Sequence, residues 1–141
     1  MNSCFDSYAA GFFDGEGCVR LYYRTRRSGK YKDSAWCQYS LKITNTNRSL
    51  LEDFQKEFGG TIRVTHQSDR HRTCYALEIT NRDQVLGTLT RLLPFLRIKR
   101  QHAELMIQYL SRRPNTKTTE AERLLCQQMA ALNYRGSAVA Q

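Results

Sequence analysis

The most constraining feature of this chain is a short stretch that alternates two kinds of residue. Val19, Leu21 and Tyr23 are interleaved with Arg20, Tyr22, Arg24 and Arg26. Successive strand residues point to opposite faces, so the segment predicts a strand that is apolar on one side and strongly basic on the other. A sheet built on such a strand can be covered by helices on one face only. The other face must stay open to water or to a charged partner.

The following segments fit that frame. Arg27–Ser34 is a basic, turn-rich loop, and a second strand is predicted over Trp36–Asn45. Its core face is Cys37, Tyr39, Leu41 and Ile43, and its open face is Trp36, Gln38, Ser40 and Lys42. Ser49 and Glu52 have the spacing of a capping box for a helix with the apolar stripe Leu50, Leu51, Phe54 and Phe58, closed by Gly59-Gly60. Two more strands are predicted near Thr61–His66 and Arg72–Thr80, with the loop Gln67–His71 between them. Arg63 and Thr65 oppose Ile62 and Val64. Asn81 opens a helix that Pro94 ends, and a helix over Arg100–Arg112 stops at Pro114. Thr119 and Glu122 form a second capping box, for a helix to about Leu132. The tail from Asn133 is expected to fray. The order is helix, two strands, helix, two strands, then helices: an α+β chain with a four-stranded antiparallel sheet. Its 141 residues, with no linker or repeat, predict one domain over 1–141.

Charge narrows the partner. The chain has 22 Lys and Arg against 13 Asp and Glu, a net charge of +9, and 16 of the 22 bases are Arg. Arg presents a planar fork suited to phosphate and to the guanine edge, so nucleic acid is the expected partner. The candidate contacts are Arg20, Tyr22, Arg24, Arg26, Trp36, Gln38, Ser40, Lys42, Arg63 and Thr65 on the strands. Arg27, Lys30 and Lys32 on the hairpin tip suit phosphate. The alternative is a merely solvated charged face. No apolar run approaches the length of a membrane span, and the N-terminal segment reads as neither a secretory signal nor a transit peptide. Five scattered cysteines without a CxxC pair argue against a disulfide framework or a zinc knuckle.

The first helix, Ser3–Phe13, leads into Asp14-Gly15-Glu16-Gly17. Tyr8, Gly11, Phe12 and Gly15 share one side of it. Glycine inside a helix costs about 1 kcal/mol relative to alanine, and Gly11 and Gly15 open room for another backbone to approach. Asp14 and Glu16 sit at the negative end of the helix dipole, unfavourable by roughly 0.3–1 kcal/mol each. Such local penalties are more expected at functional sites. The competing reading is a helix end with a tight turn and solvated acids. The spacing is neither an EF-hand loop nor a P-loop.

Ala9-Ala10-Gly11-Phe12-Phe13-Asp14-Gly15-Glu16-Gly17 resembles the LAGLIDADG motif of homing endonucleases. Leu93-Pro94-Phe95-Leu96-Arg97-Ile98-Lys99 resembles the family's stretch ending in a pocket lysine, and Ser40–Asn45 the strand end carrying a polar pocket residue. Ala130-Ala131-Leu132-Asn133 is similar to the small single-motif branch of chloroplast rRNA introns. The resemblance covers about residues 5–133. It implies an αββαββα core whose sheet forms a saddle in the DNA major groove. With one motif, the chain is expected to pair through Tyr8, Gly11, Phe12 and Gly15 as a homodimer on a near-palindromic duplex. It implies Glu16 as the metal-binding acid with the Gly15 carbonyl beside it, Mg²⁺ as the cofactor (Mn²⁺ or Ca²⁺ also fitting the site), Lys99 at the phosphate, and Asn45 ordering water where the family often has Gln. Asp14 is expected to cap or brace the helix end. The function implied is a double-strand DNA endonuclease. The alternative is a catalytically silent maturase or DNA-binding regulator, with intron RNA as a further partner. An intron-encoded protein of this kind is expected in a chloroplast or mitochondrion, and otherwise in bacterial or phage-host cytoplasm.

Overall fold

The computed structural model describes residues 2–112 and 118–134. Helix α1 spans Ser3–Glu16 and passes directly into strand β1, Gly17–Thr25. Strand β2 is Ala35–Asn45, helix α2 Arg48–Phe58, strand β3 Thr61–Ser68 and strand β4 His71–Ile79. Helix α3, Arg82–Leu92, is followed by a 3-10 turn at Leu93–Phe95, helix α4, Arg100–Leu110, and helix α5, Glu120–Asn133. The four strands form one antiparallel sheet in the order β1-β2-β4-β3. The α+β architecture and element order are those expected from the sequence. The expected stop at Pro114 and the tail from residue 135 lie outside the described residues, whereas Asn133, expected at the start of the frayed tail, is the last residue of α5.

Side-chain alternation explains why helices cover one face. Val19, Leu21, Leu41, Ile43, Leu77 and Ile79 point to the same side and are buried. They meet Phe13 of α1, Leu51 and Phe54 of α2, Leu89 of α3, Met106 of α4 and Met129 of α5 in one core cluster. Arg20, Ser40, Lys42 and Glu78 face away from it, as the register Arg20↔Ser40 and Lys42↔Glu78 requires.

Strands β3 and β4 take up Gln67, Ser68 and His71 of the expected loop, and three helix boundaries also differ from the sequence expectation. Helix α1 runs three residues past Phe13, because Gly17 rather than Gly15 ends it: a Cβ on Gly17 would lie 2.3 Å from the Phe13 ring. Helix α2 is capped by Asn47, whose Oδ1 accepts from Leu50 N at 3.1 Å. The expected Ser49–Glu52 box is not used, and Glu52 pairs with Arg48 instead. Helix α4 ends at Leu110, where the Ser111 hydroxyl donates to the Ile107 carbonyl. The Thr119–Glu122 box is present, and buried Glu122 also pairs with Arg112.

Two long-range ties fix the helices, one to another helix and one to the sheet. Asp6, 3% exposed, accepts from Arg91 Nη2 at 2.6 Å and Nε at 3.1 Å, which locks α1 to α3. Asn133 Nδ2 donates to the Val19 carbonyl at 2.9 Å and locks the end of α5 to β1. All five cysteines are free; Cys37 and Cys126 touch, and burial pushes the Cys126 thiol up to about 12, so it packs as a neutral group.

His102 makes this assembly sensitive to acid. It is buried at the start of α4, with no hydrogen-bond partner for Nδ1 among the described residues. Burial, then the charge of Lys99, holds its pKa below the ordinary range, although a bond with the Leu132 backbone opposes them. The unfolded chain takes up this proton near pH ~6.5, before the folded chain does. Stability is therefore expected to fall as pH drops from about 6.5 towards the folded value. In thermal melts across that range, His102→Gln should flatten the slope of Tm against pH; an unchanged slope would contradict the assignment.

Candidate functional site

The site is assembled where α1 hands over to β1. Asp14, Gly15 and Glu16 form the last turn of the helix, and Gly15 and Glu16 are exposed. Asp14 is not free to be a ligand. Its Oδ2 accepts from Arg97 N at 2.9 Å, and its Oδ1 from Ile98 N at 3.0 Å and Lys99 N at 2.9 Å. Lys99 is the N-cap of α4 and supplies no side-chain cap bond itself. The carboxylate thus serves the backbone donors of the three residues leading into α4, and its charge is favourable beside that helix start. The unfavourable position of Asp14 at the end of α1 is offset by its position at the beginning of α4.

The bracing role expected for Asp14 is therefore observed, with a consequence the sequence did not disclose. One carboxylate ties the Lys99 backbone to the turn that carries Glu16. Asn45 belongs to the same end of the sheet, since Gly17 pairs with Ile43 and Asn45 lies two residues further along β2. Its Oδ1, however, accepts from Asn47 N at 2.8 Å and shapes the turn into α2. Its amide NH₂ is the group left as a donor to a ligand.

Among the described residues, no three His, Cys, Asp or Glu side chains gather as a metal cluster. One chain offers the Glu16 carboxylate and the carbonyls that end α1, which are hard oxygen donors suited to Mg²⁺. Further oxygen ligands would come from a bound phosphate, water or a second copy of the chain.

The side of α1 bearing Tyr8, Gly11, Phe12 and Gly15 is largely bare. Tyr8 is 55% exposed, and a Cβ added at Gly11 or Gly15 meets nothing within 4 Å. Phe12 is shared, since it is half-buried and its ring packs edge-on against Phe54.

The basic face of the sheet is more ordered than a row of solvated charges. Tyr22 lies between two guanidinium groups, Arg20 at 5.3 Å and Arg24 at 5.1 Å from its ring. Arg20 Nε also donates to the Tyr22 hydroxyl at 3.2 Å, the main reason its pKa is raised. Arg26 stacks over Trp36 at 5.4 Å and Tyr31 at 5.9 Å, and Lys30 lies over Tyr31 at 5.7 Å. Such cation–π contacts preorganise flexible cations and leave their donors available. Trp36 faces this side, opposite Arg24, and is 42% exposed. Gln38 and Lys32 are exposed.

Two expected contacts are less available. Ser40 is 7% exposed and lies at the floor of the face. Thr65 falls at a bulge between Val64 and His66, and its hydroxyl donates to the Cys74 carbonyl at 3.2 Å. Arg63 is well exposed but lies 3.6 Å from Glu78. The sequence pattern places Glu78 on the face opposite Tyr75, Leu77 and Ile79 but assigns it no site role, although an acid at an open-face position of a basic sheet is a detectable signal.

Comparison with known proteins gives the family. Residues 9–97 match the LAGLIDADG endonuclease family. The chain is 30% identical over 112 residues to DNA endonuclease I-CvuI of Chlorella vulgaris, covering 79% of this chain and 66% of that enzyme, just under two thirds. It is 29% identical over 136 residues to DNA endonuclease I-CreI of Chlamydomonas reinhardtii, covering 94% of this chain and 80% of that enzyme. A crystal structure of I-CvuI with the I-CreI target in 2 mM Mg, its DNA not cleaved, superposes with a TM-score of 0.77 at 27% identity. That superposition covers 97% of this chain and 86% of the other.

Asp14→Ala should lower stability by about 2 kcal/mol, because three backbone donors lose a charged acceptor. Asp14→Asn should recover part of that loss. Denaturant unfolding of the two variants checks this; equal stability of Asp14→Ala and the parent would show that water replaces the carboxylate without cost.

Proposed function

This chain belongs to the LAGLIDADG endonuclease family, and we propose that it is a site-specific, divalent-metal-dependent DNA endonuclease that acts as a homodimer. The observation that carries the reading is the Asp14 clasp, which ties Lys99 to the turn bearing Glu16. That clasp fixes the Lys99 backbone beside the turn bearing Glu16, an arrangement that a silent DNA-binding protein does not require.

Hydrolysis of a phosphodiester needs a water to attack phosphorus, stabilisation of the charge gathering on the phosphate, and departure of the 3′ oxygen. Glu16, with the Gly15 carbonyl, would hold a Mg²⁺ ion. When bound, such an ion would supply Lewis acidity to the phosphate. The Lys99 ammonium adds positive charge at the phosphate and orders the attacking water. Asp14 acts on Lys99 through the backbone and does not touch the reacting atoms. The Asn45 NH₂ is available to donate to that water. The Arg-rich face binds the duplex and sets its register, with Lys30, Lys32 and Arg27 suited to phosphate. This activity implies double-stranded DNA as partner. Among the described residues, no helix is long and apolar enough to cross a membrane.

The glycines support the dimer. Among the described residues, Gly11 and Gly15 do not make room for anything in their own chain. A helix glycine costs about 1 kcal/mol against alanine, and this cost has no return within one copy. Close approach of a second α1 provides it and brings the two Glu16 residues near a two-fold axis, one for each strand. Like-charge crowding of the two acids would be offset by bound cations.

Glu16→Gln is expected to abolish cleavage while DNA binding persists, as read by nicking and gel-shift assays with Mg²⁺ and Ca²⁺ respectively. Cleavage at the normal rate would overturn the assignment. Gly11→Ala should raise the stability of the single subunit by up to about 1 kcal/mol yet weaken the dimer. Sedimentation should show more monomer at a given concentration; an unchanged dimer would place the contact elsewhere.

A further inference from the structure

Glu78 is the only acidic residue in the four strands. Its neighbours Leu77 and Ile79 enter the core, so its own side chain faces the open side, opposite Lys42 on β2 and Thr61 on β3. A carboxylate on a face that receives a polyanion repels every nearby phosphate. The 3.6 Å ion pair with exposed Arg63 offsets little of that, because solvent screens such a pair. Some other return is needed for an acid at this position.

The surroundings supply it. Glu78, Arg20, Gln38, Ser40 and Thr80 line one small recess of about 70 Å³ in the open face. Arg20 is held there by its Nε bond to the Tyr22 hydroxyl, which leaves the two Nη groups as a donor fork. Glu78 places an acceptor in the same recess. Across the major groove, a G·C pair presents two acceptors, guanine N7 and O6, followed by one donor, the cytosine N4 amine. An A·T pair presents acceptor, donor, acceptor and then methyl, which does not match a donor fork beside a carboxylate.

We propose that Arg20 and Glu78 together read one G·C pair in each half-site, Arg20 donating to guanine and Glu78 accepting from the cytosine amine. This rests on the DNA-cleavage reading above and assigns two residues within it. Glu78 carries a second effect: it disfavours duplexes that leave it facing phosphate or a base acceptor, so it improves discrimination at some expense of affinity.

The experiment is selection from a randomised duplex library in Ca²⁺, comparing the full-length parent with Glu78→Ala and Arg20→Ala. The parent should demand G·C at one position per half-site, and both variants should relax that same position by roughly tenfold or more. Other positions should keep their preferences, and Glu78→Ala should bind random DNA more tightly than the parent. Glu78→Lys, which replaces the acceptor with a donor, serves as the second variant and should turn preference away from cytosine there. The proposal is overturned if Glu78→Ala raises affinity uniformly with no change in base preference, or if the two alanine variants relax different positions. A parent chain that enriches no sequence at all would instead remove the DNA-cleavage reading, and this assignment with it.

Discussion

The carboxylate of Asp14 joins parts of the chain more than 80 residues apart. It accepts from three consecutive backbone donors and so serves the end of one helix and the beginning of another with one charge. The exposed acid of Glu16 depends on that clasp for its relation to Lys99. So does the entry angle of α4, which carries His102 and Met106 into the core. Gly17 completes the junction, since the Phe13 ring occupies the space a side chain would need. A helix can thus pass into a strand without an intervening loop, and the end of α1 stays at the edge of the sheet.

From this junction the two faces of the sheet follow separate physics. The covered face is a hydrocarbon interior in which Leu21, Leu41 and Leu77 pack against helices, and burial supplies most of the stability. The open face contributes little to folding and is free to carry charge. Its cations are held by aromatic rings, Arg20 and Arg24 by Tyr22 and Arg26 by Trp36, and not by carboxylates that would neutralise them. Glu78 is the exception. It pairs with Arg63 and lines a recess with Arg20.

Much of this was legible in the residues. Period-two alternation around Arg20–Arg26 gave the open face, and the apolar stripe of Leu51, Phe54 and Phe58 gave the covering helix. The Thr119–Glu122 box was correct because both partners lie within four residues. The Ser49–Glu52 box has the same local pattern, but Asn47 reaches the same helix start and leaves Glu52 to Arg48. Competition between two local solutions is not visible in spacing alone. Asp6 with Arg91 and Asp14 with residues 97–99 are tertiary contacts with no local period to betray them. Asn45 was placed at the correct end of its strand, but its Oδ1 is committed to the turn that follows, which depends on backbone geometry.

The central claim is that two copies meet through the bare side of α1 and bring both Glu16 carboxylates to one duplex. The most direct measurement is anomalous X-ray scattering from crystals of the chain bound to its selected duplex and soaked in Mn²⁺. The account predicts anomalous peaks beside Glu16 of each subunit, on either side of a two-fold axis running between the α1 helices. Subunits joined through another surface, with manganese peaks remote from Glu16, would contradict it.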